Sequence, residues 1–174
     1  MATSKLDNVL IIENALSENE CDAIITEYSV DLKTDKVDTH LGYEYNDILE
    51  GNPIVTALVS KAFAEYIKTY PTINQTNDKW QLNTFRFKRF PPNHSFNNWH
   101  AEHEVLHPYR ILCCMVYLSN HNCGTEFYAT NETVLSKKGR LIMFPAFWTH
   151  THRGQVCPDK KDRYIMNAYV EFVL

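Results

Sequence analysis

The pattern of apolar residues changes near Trp80, and this change constrains the fold more than any other feature of the chain. Residues 81–90 alternate between polar and apolar with a period of two, which is typical of a strand with one buried face. Five further runs rich in β-branched, aromatic and other apolar residues follow, with turn sequences between them. These runs cover residues 111–118, 125–128, 133–135, 141–144 and 164–173. Many short strands separated by turns predict a sandwich or jelly roll.

The first part of the chain has the pattern of a strand followed by a helix. Residues 9–12 are all apolar and predict a short buried strand. Ser17 and Glu20 have the spacing of a capping box, in which each side chain satisfies a free backbone N–H of the other residue. A helix is therefore expected to begin at this point and to continue through Tyr28.

A second helix is predicted from Pro53 to Tyr70, because proline suits a first helical turn and apolar residues recur at helical spacing. Residues 31–52 are polar and irregular, and predict a loop or lid. The expected fold is α+β and mainly β, in one domain of residues 1–174. Residues 1–79 would form a helical N-terminal support packed on one face of a jelly-roll core (a double-stranded β-helix) of residues 80–174.

Composition narrows the possible partners. The 174 residues suit one domain, and the net charge of −4 without a basic run gives no support for nucleic-acid binding. No apolar run is long enough for a membrane span, and the start lacks a signal-peptide pattern.

The five cysteines are odd in number and lack zinc-like spacing, so we expect reduced thiols and a cytoplasmic location. The oligomeric state is not predicted by the sequence.

Two histidine-containing motifs and one arginine stand out as candidate site residues. His100 and Glu102 are two apart, so on a strand they share a face and can bind one ion together. His150 and His152 share a face by the same argument, and Arg163 begins an apolar strand. Two imidazoles and one carboxylate are a facial ligand set for Fe(II), and an arginine can bind a distant carboxylate in a bidentate pair. Taken one at a time, each motif is also explained by an ordinary polar strand end or surface arginine.

The order of these motifs resembles the iron(II)/2-oxoglutarate dioxygenases, in particular the prolyl 4-hydroxylase-like branch. The similarity covers nearly the whole chain. Besides the histidine motifs, four segments carry it: the strand-then-helix opening at 9–22, Arg89-Phe90-Pro91-Pro92, Val116-Tyr117-Leu118-Ser119, and Gly139-Arg140-Leu141-Ile142-Met143-Phe144-Pro145.

The resemblance implies a role for each candidate residue. His100 and Glu102 would bind Fe(II) together with His152, which lies eleven residues before Arg163 and fits the family's His-x-Gly pattern. His150 would be a pocket residue or the alternative ligand. Arg163 would bind the C5 carboxylate of 2-oxoglutarate, helped by the hydroxyl group of the tyrosine in the third segment, Tyr117.

Two residues depart from the family pattern. Glu102 stands where most relatives have aspartate, and Phe90 stands where many have a tyrosine that contacts 2-oxoglutarate. Glutamate keeps the charge and the ligating oxygens but adds a methylene group. The phenylalanine removes one hydrogen bond to the cosubstrate.

The function implied by the resemblance is hydroxylation of a substrate, with conversion of 2-oxoglutarate and O₂ to succinate and CO₂. A prolyl residue in a peptide or protein is the first expectation for the substrate. A free amino acid or another small molecule is the alternative. A non-catalytic metal-binding jelly-roll module is the competing hypothesis from a different class.

Overall fold

A computed structural model describes residues 6–38, 41–48, 52–75 and 79–173. The helices in these ranges are α1 (Glu18–Tyr28) and α2 (Pro53–Thr69), with short 3₁₀ turns at Pro71–Gln75 and Trp148–His150. The strands are β1 (Leu10–Ile12), β2 (Lys33–Asp38), β3 (Leu41–Ile48), β4 (Trp80–Phe90), β5 (Arg110–Tyr117), β6 (Gly124–Phe127), β7 (Glu132–Leu135), β8 (Leu141–Pro145), β9 (His152–Gly154) and β10 (Arg163–Phe172).

Both helices begin where their local sequence predicts. The Ser17 backbone N–H donates to a Glu20 carboxylate oxygen at 2.8 Å, and the Glu20 N–H donates to Ser17 Oγ at 3.3 Å. This reciprocal pair is the predicted capping box. Pro53 occupies the first turn of α2, after Asn52, whose side chain accepts a hydrogen bond from the Ile54 N–H.

The strands form two antiparallel sheets. The larger sheet has seven strands in the order β1-β8-β5-β10-β4-β3-β2, and the smaller sheet has the order β7-β6-β9. Sequence neighbours are often not sheet neighbours, since β10 lies between β5 and β4. This arrangement confirms the predicted jelly roll.

The larger sheet has two different apolar faces because successive strand residues point in opposite directions. One face packs against α1 and α2, through Ile24 on α1, Val59 on α2 and partners such as Val116 and Met166 on the sheet. The other face turns toward the smaller sheet, and its core includes Tyr117, Phe127, Phe144, Ile165 and Tyr169. The predicted packing of the N-terminal helices on one face is confirmed, and the site lies on the opposite face.

The expectation of an irregular segment at 31–52 is wrong where the structure describes it. Strands β2 and β3 pair with each other, and β3 pairs with β4, so this hairpin extends the larger sheet at its edge. Residues 39–40 and 49–51 of the segment lie outside the described residues. The helical support predicted for residues 1–79 therefore also contributes three strands, β1, β2 and β3, to the larger sheet.

The expectation of five free cysteines is also wrong for one pair. Cys123 and Cys157, separated by 34 positions, are joined in a disulfide, while Cys21, Cys113 and Cys114 are buried free thiols. A prediction from spacing alone missed the pair because the fold, and not the sequence, brings these positions together.

Neither helix of the described ranges combines the length and the apolar composition that a membrane crossing requires.

Candidate active site

Backbone pairing places the two predicted histidine motifs side by side. The His100 N–H donates to the His152 carbonyl oxygen at 3.0 Å, and the His152 N–H donates to that of His100 at 2.9 Å. The Glu102 N–H is held by the carbonyl oxygen of Ala146 at 3.0 Å. The segment after β4 is thereby fixed against β9, although more than fifty positions separate the histidines.

The three side chains point toward one another. Glu102 Oε1 lies 3.8 Å from His100 Nε2 and 3.7 Å from His152 Nε2. One potential ligand atom from each residue falls within 4.8 Å of the others. An ion placed between them would have two imidazole nitrogens and one carboxylate oxygen on one side, which is the donor set of a facial triad.

Hydrogen bonds select the nitrogen that each histidine offers. His100 Nδ1 lies 2.8 Å from the carbonyl oxygen of Asn98, and His152 Nδ1 lies 3.0 Å from that of His150. A carbonyl oxygen can only accept, so each Nδ1 carries the proton and each Nε2 presents its lone pair to the centre. His152 Nε2 is buried and has no hydrogen-bond partner among the described residues. An orphaned imidazole nitrogen aimed at a carboxylate and a second imidazole fits a divalent metal such as Fe(II).

The electrostatics of the group favour the ligating protonation states. Burial acts to raise the pKa of Glu102, but the neighbouring His100 and His152 side chains outweigh it and hold this pKa well below its ordinary value. Burial lowers the pKa of His152, because its charged form loses hydration. An ionised carboxylate beside a neutral imidazole is the form that binds metal.

Arg163 opens β10 and points into the same cavity, which has a volume of about 270 Å³. Its side chain is nearly sealed at 4% exposure, its Nη1 donates to Cys123 Sγ at 3.4 Å, and its Nε has no partner in the described chain. Gly154 allows this approach, since a Cβ at that position would lie 3.2 Å from Arg163 Nη2. Burial lowers the pKa of Arg163 to about 10, so it stays charged at neutral pH.

A buried guanidinium with an unsatisfied N–H requires an anion. Ion pairs with Asp or Glu are absent for Arg163 within the ranges that the structure describes. The cavity therefore fits a carboxylate ligand that reaches Arg163 from the direction of the histidines. The C5 carboxylate of 2-oxoglutarate has this chemistry.

The other two predicted residues lie in different surroundings. Tyr117 is buried and lines the cavity, with its hydroxyl 2.8 Å from Thr125 Oγ1 and 3.2 Å from the Val134 carbonyl oxygen. His150 is not among the described residues that line the cavity. Its Nε2 lies 2.8 Å from the Asp7 carbonyl oxygen. The structure thus groups His152, and not His150, with Glu102.

Sequence reasoning missed several polar residues that line the cavity: Lys88 on β4, Arg110 on β5, Asn167 on β10 and Tyr43 on β3. The signal for Lys88 was present in the alternation of β4. Lys88 and Phe90 are two apart and share a face, and Phe90 had already been placed at the site.

Neither a protein-family model nor a curated protein matches the sequence of this chain. Solved structures do share its fold. The 2OG complex of the viral collagen prolyl hydroxylase from Paramecium Bursaria Chlorella virus-1 is similar with a TM-score of 0.72 and 18% identity, over 99% of this chain and 100% of that chain. A Pseudomonas putida prolyl-4-hydroxylase has a TM-score of 0.70 at 14% identity, over 94% and 92% of the two chains.

A third similar structure contains both a metal and the cosubstrate. HygX from Streptomyces hygroscopicus, with nickel and 2-oxoglutarate bound, has a TM-score of 0.63 at 12% identity, over 94% of this chain and 82% of that chain. At these identities the comparisons establish the fold. The chain has the jelly-roll fold shared by prolyl 4-hydroxylases and 2-oxoglutarate–Fe(II) oxygenases, as the sequence resemblance predicted.

Proposed function

We propose that this protein is an Fe(II)- and 2-oxoglutarate-dependent dioxygenase that hydroxylates its substrate, with conversion of 2-oxoglutarate and O₂ to succinate and CO₂. One observation carries the proposal. The cavity contains both the unpartnered Nε2 of His152, aimed at Glu102 and His100, and the unpartnered Nε of Arg163. The His152 nitrogen fits a metal, and the Arg163 nitrogen fits a carboxylate. One cavity can therefore bind both ends of a 2-oxo-diacid, one end through the metal and the other through Arg163.

Each residue has a separate task in this proposal. His100, Glu102 and His152 would hold Fe(II), which supplies the activation of O₂ and the oxidation of the substrate. The Nδ1 hydrogen bonds of the two histidines fix their rings, so that Nε2 stays directed at the metal. We assign His152 as the distal ligand, because the Nε2 of His150 is engaged by the backbone of the N-terminal segment.

The cosubstrate would be bound at the other end of the cavity. Arg163 would form a bidentate pair with the C5 carboxylate, and the Tyr117 hydroxyl would turn from Thr125 to donate a hydrogen bond to the same group. The surrounding apolar side chains, including Phe90 beneath the Arg163 guanidinium at 4.6 Å, keep water from the ion pair. Because Phe90 lacks a hydroxyl group, Arg163 would carry more of the binding free energy than in relatives that have a tyrosine there.

For the substrate, a prolyl residue in a peptide or protein is the first proposal. A similar structure from Trichoplax adhaerens is a prolyl hydroxylase in complex with a hypoxia inducible factor peptide fragment, with a TM-score of 0.66 and 13% identity. A small-molecule substrate remains the second candidate, because HygX has also been solved with hygromycin B bound.

Anaerobic spectroscopy tests the proposal directly. Addition of Fe(II) and then 2-oxoglutarate to the purified protein should produce a weak visible charge-transfer band, and later exposure to O₂ should produce succinate. His100→Ala should lose the band and the succinate while the chain stays folded, since His100 borders the cavity and does not belong to either apolar core. If the wild-type protein binds Fe(II) and 2-oxoglutarate but gives neither the band nor succinate, the remaining hypothesis is the non-catalytic metal-binding module.

A further inference from the structure

The inward face of β4 and β10 forms a wall along which polar groups are spaced at regular intervals. Phe90 pairs with Arg163, Lys88 with Ile165, and Arg86 with Asn167, and all six side chains line the cavity. Successive inward positions on a strand are about 7 Å apart, so the wall continues for roughly 13 Å beyond Arg163. If 2-oxoglutarate occupies the Arg163 end, the remainder of this wall faces the primary substrate.

Lys88 is a cation on this wall without a matching anion. Its Nζ lies 4.8 Å from the centroid of the Tyr43 ring on the neighbouring hairpin. The described residues provide it with neither a hydrogen bond nor an ion pair at contact distance. Burial lowers the pKa of Lys88, while the more distant charge of Glu102 acts in the opposite direction. Lys88 is half-buried, and an ammonium group that has lost part of its hydration is stabilised when a ligand brings an anion to it.

Asn167 adds an unused acceptor on the same wall. Its side chain is 1% exposed and its Nδ2 donates weakly to Cys113 Sγ at 3.7 Å. Its Oδ1 is buried without a partner among the residues described. Buried polar atoms are nearly always hydrogen-bonded in a functional complex, so a ligand with an N–H or O–H group would satisfy it.

Arg110, at the start of the neighbouring strand β5, is a buried cation that also lines the cavity, and its charge is already compensated. Its guanidinium lies 3.4 Å from Glu102 and 3.5 Å from Glu171, and it stacks on the Tyr169 ring at 3.6 Å. Arg110 therefore adds positive potential to the cavity but is not the group that lacks an anion. Lys88 is that group.

We propose that the primary substrate carries an anionic oxygen group, a carboxylate or a phosphate, that binds Lys88, and a hydrogen-bond donor that binds Asn167. This inference deepens the proposed function and rests on it for the position of 2-oxoglutarate. It assigns Lys88 as a specificity-determining residue. The ammonium group acts as a point charge and so accepts either a carboxylate or a phosphate.

Matched dipeptides test the preference for an anion. The probes are three N-acetyl dipeptide amides with proline in second place and aspartate, phosphoserine or asparagine in first place. Their binding to the Mn(II)- and 2-oxoglutarate-loaded protein is measured by calorimetry. At least one acidic probe should bind about ten- to a hundredfold more tightly than the asparagine probe, as expected for a charge-assisted hydrogen bond. The two acidic probes distinguish a carboxylate from a phosphate.

Three variants locate the preference. Lys88→Met keeps the length of the side chain and should abolish the preference, whereas Lys88→Arg should retain it in part. Lys61→Met is the matched control, because Lys61 is exposed on α2, on the helix-covered side of the sheet, and its loss should change nothing.

The outcomes separate this inference from the proposed function. Equal or undetectable binding of the acidic and neutral probes overturns the anion subsite. Loss of 2-oxoglutarate affinity in Lys88→Met, with the probe preference unchanged, also overturns it, because Lys88 would then belong to the cosubstrate site. A protein that binds neither Mn(II) nor 2-oxoglutarate contradicts the proposed function. A Lys88-dependent preference for acidic probes in that metal-free protein would still support the subsite.

Discussion

Replacement of Arg163 by alanine should reduce the affinity for 2-oxoglutarate without affecting iron. Arg163 is sealed from solvent, its Nε is unsatisfied, and its Nη1 has only a sulfur partner. A carboxylate bound there forms a charge-assisted pair in a medium that water does not screen. Hydrogen bonds to charged groups contribute about 1.5–3 kcal/mol, so the dissociation constant should rise by roughly one to two orders of magnitude.

The same variant should behave differently in the absence of ligand. A buried cation without an ion pair opposes folding, so its removal should leave the free energy of unfolding of the ligand-free protein unchanged or slightly higher. Loss of affinity combined with retained stability is therefore the expected signature. Arg163→Lys should recover part of the affinity, because it restores the charge without the planar fork.

The assay is a titration of 2-oxoglutarate into the anaerobic Fe(II) protein, followed by the charge-transfer band or by calorimetry. Arg153→Ala is the matched control. Arg153 lies beside His152 in the sequence, but its guanidinium binds Glu126 at 2.9 Å and stacks on a tryptophan outside the cavity lining. Equal affinities in wild type and Arg163→Ala would refute the placement of the cosubstrate at this end of the cavity.

Three further predictions concern the ligand choice and the stability of the fold. His152→Ala should lose Fe(II) binding in a metal titration, whereas His150→Ala should keep most of it; the opposite result would move the ligand to His150. Gly124→Ala should destabilise the chain by about 1–3 kcal/mol, because the added methyl group meets the backbone of β7, and an unchanged urea midpoint would contradict this close approach. Reduction of the Cys123–Cys157 disulfide should lower the free energy of unfolding by about 2–4 kcal/mol, and identical urea curves with and without reductant would show that the bond does not contribute.

The elements that the sequence predicts well are those with a local cause. The capping box of Ser17 and Glu20 and the proline at the start of α2 act within one helical turn, so they can be recognised without the rest of the fold. Strand β4 was predicted because one of its faces is buried by the helices. The hairpin β2–β3 was missed because it lies at the sheet edge, where polar residues such as those of β2 are tolerated. The spacing of Tyr43 and Tyr45, two apart on β3, was the available signal.

In the candidate site, too, the sequence predicted some residues and missed others. The metal group was predictable because His100, Glu102, His152 and Arg163 stand in the order and spacing of the family that the sequence resembles. Lys88 was not predicted, because a pattern that classifies residues only as polar or apolar places every lysine on the solvent-facing side of a strand. The pairing of β4 with β10 places this lysine opposite Ile165 on the inward face, the face that it shares with Phe90.

The two sides of the cavity are built from separate parts of the chain. The metal group lies on the link between β4 and β5 and on β9 of the smaller sheet, whereas Tyr43 reaches the cavity from a hairpin attached at the edge of the larger sheet. Within the described residues, the hairpin has no backbone pairing with the segments that carry His100, Glu102 and His152. An exchange of this hairpin would alter one wall of the cavity without breaking a described backbone hydrogen bond of the metal group, so the shape of the cavity can change while the backbone that holds the metal group stays paired.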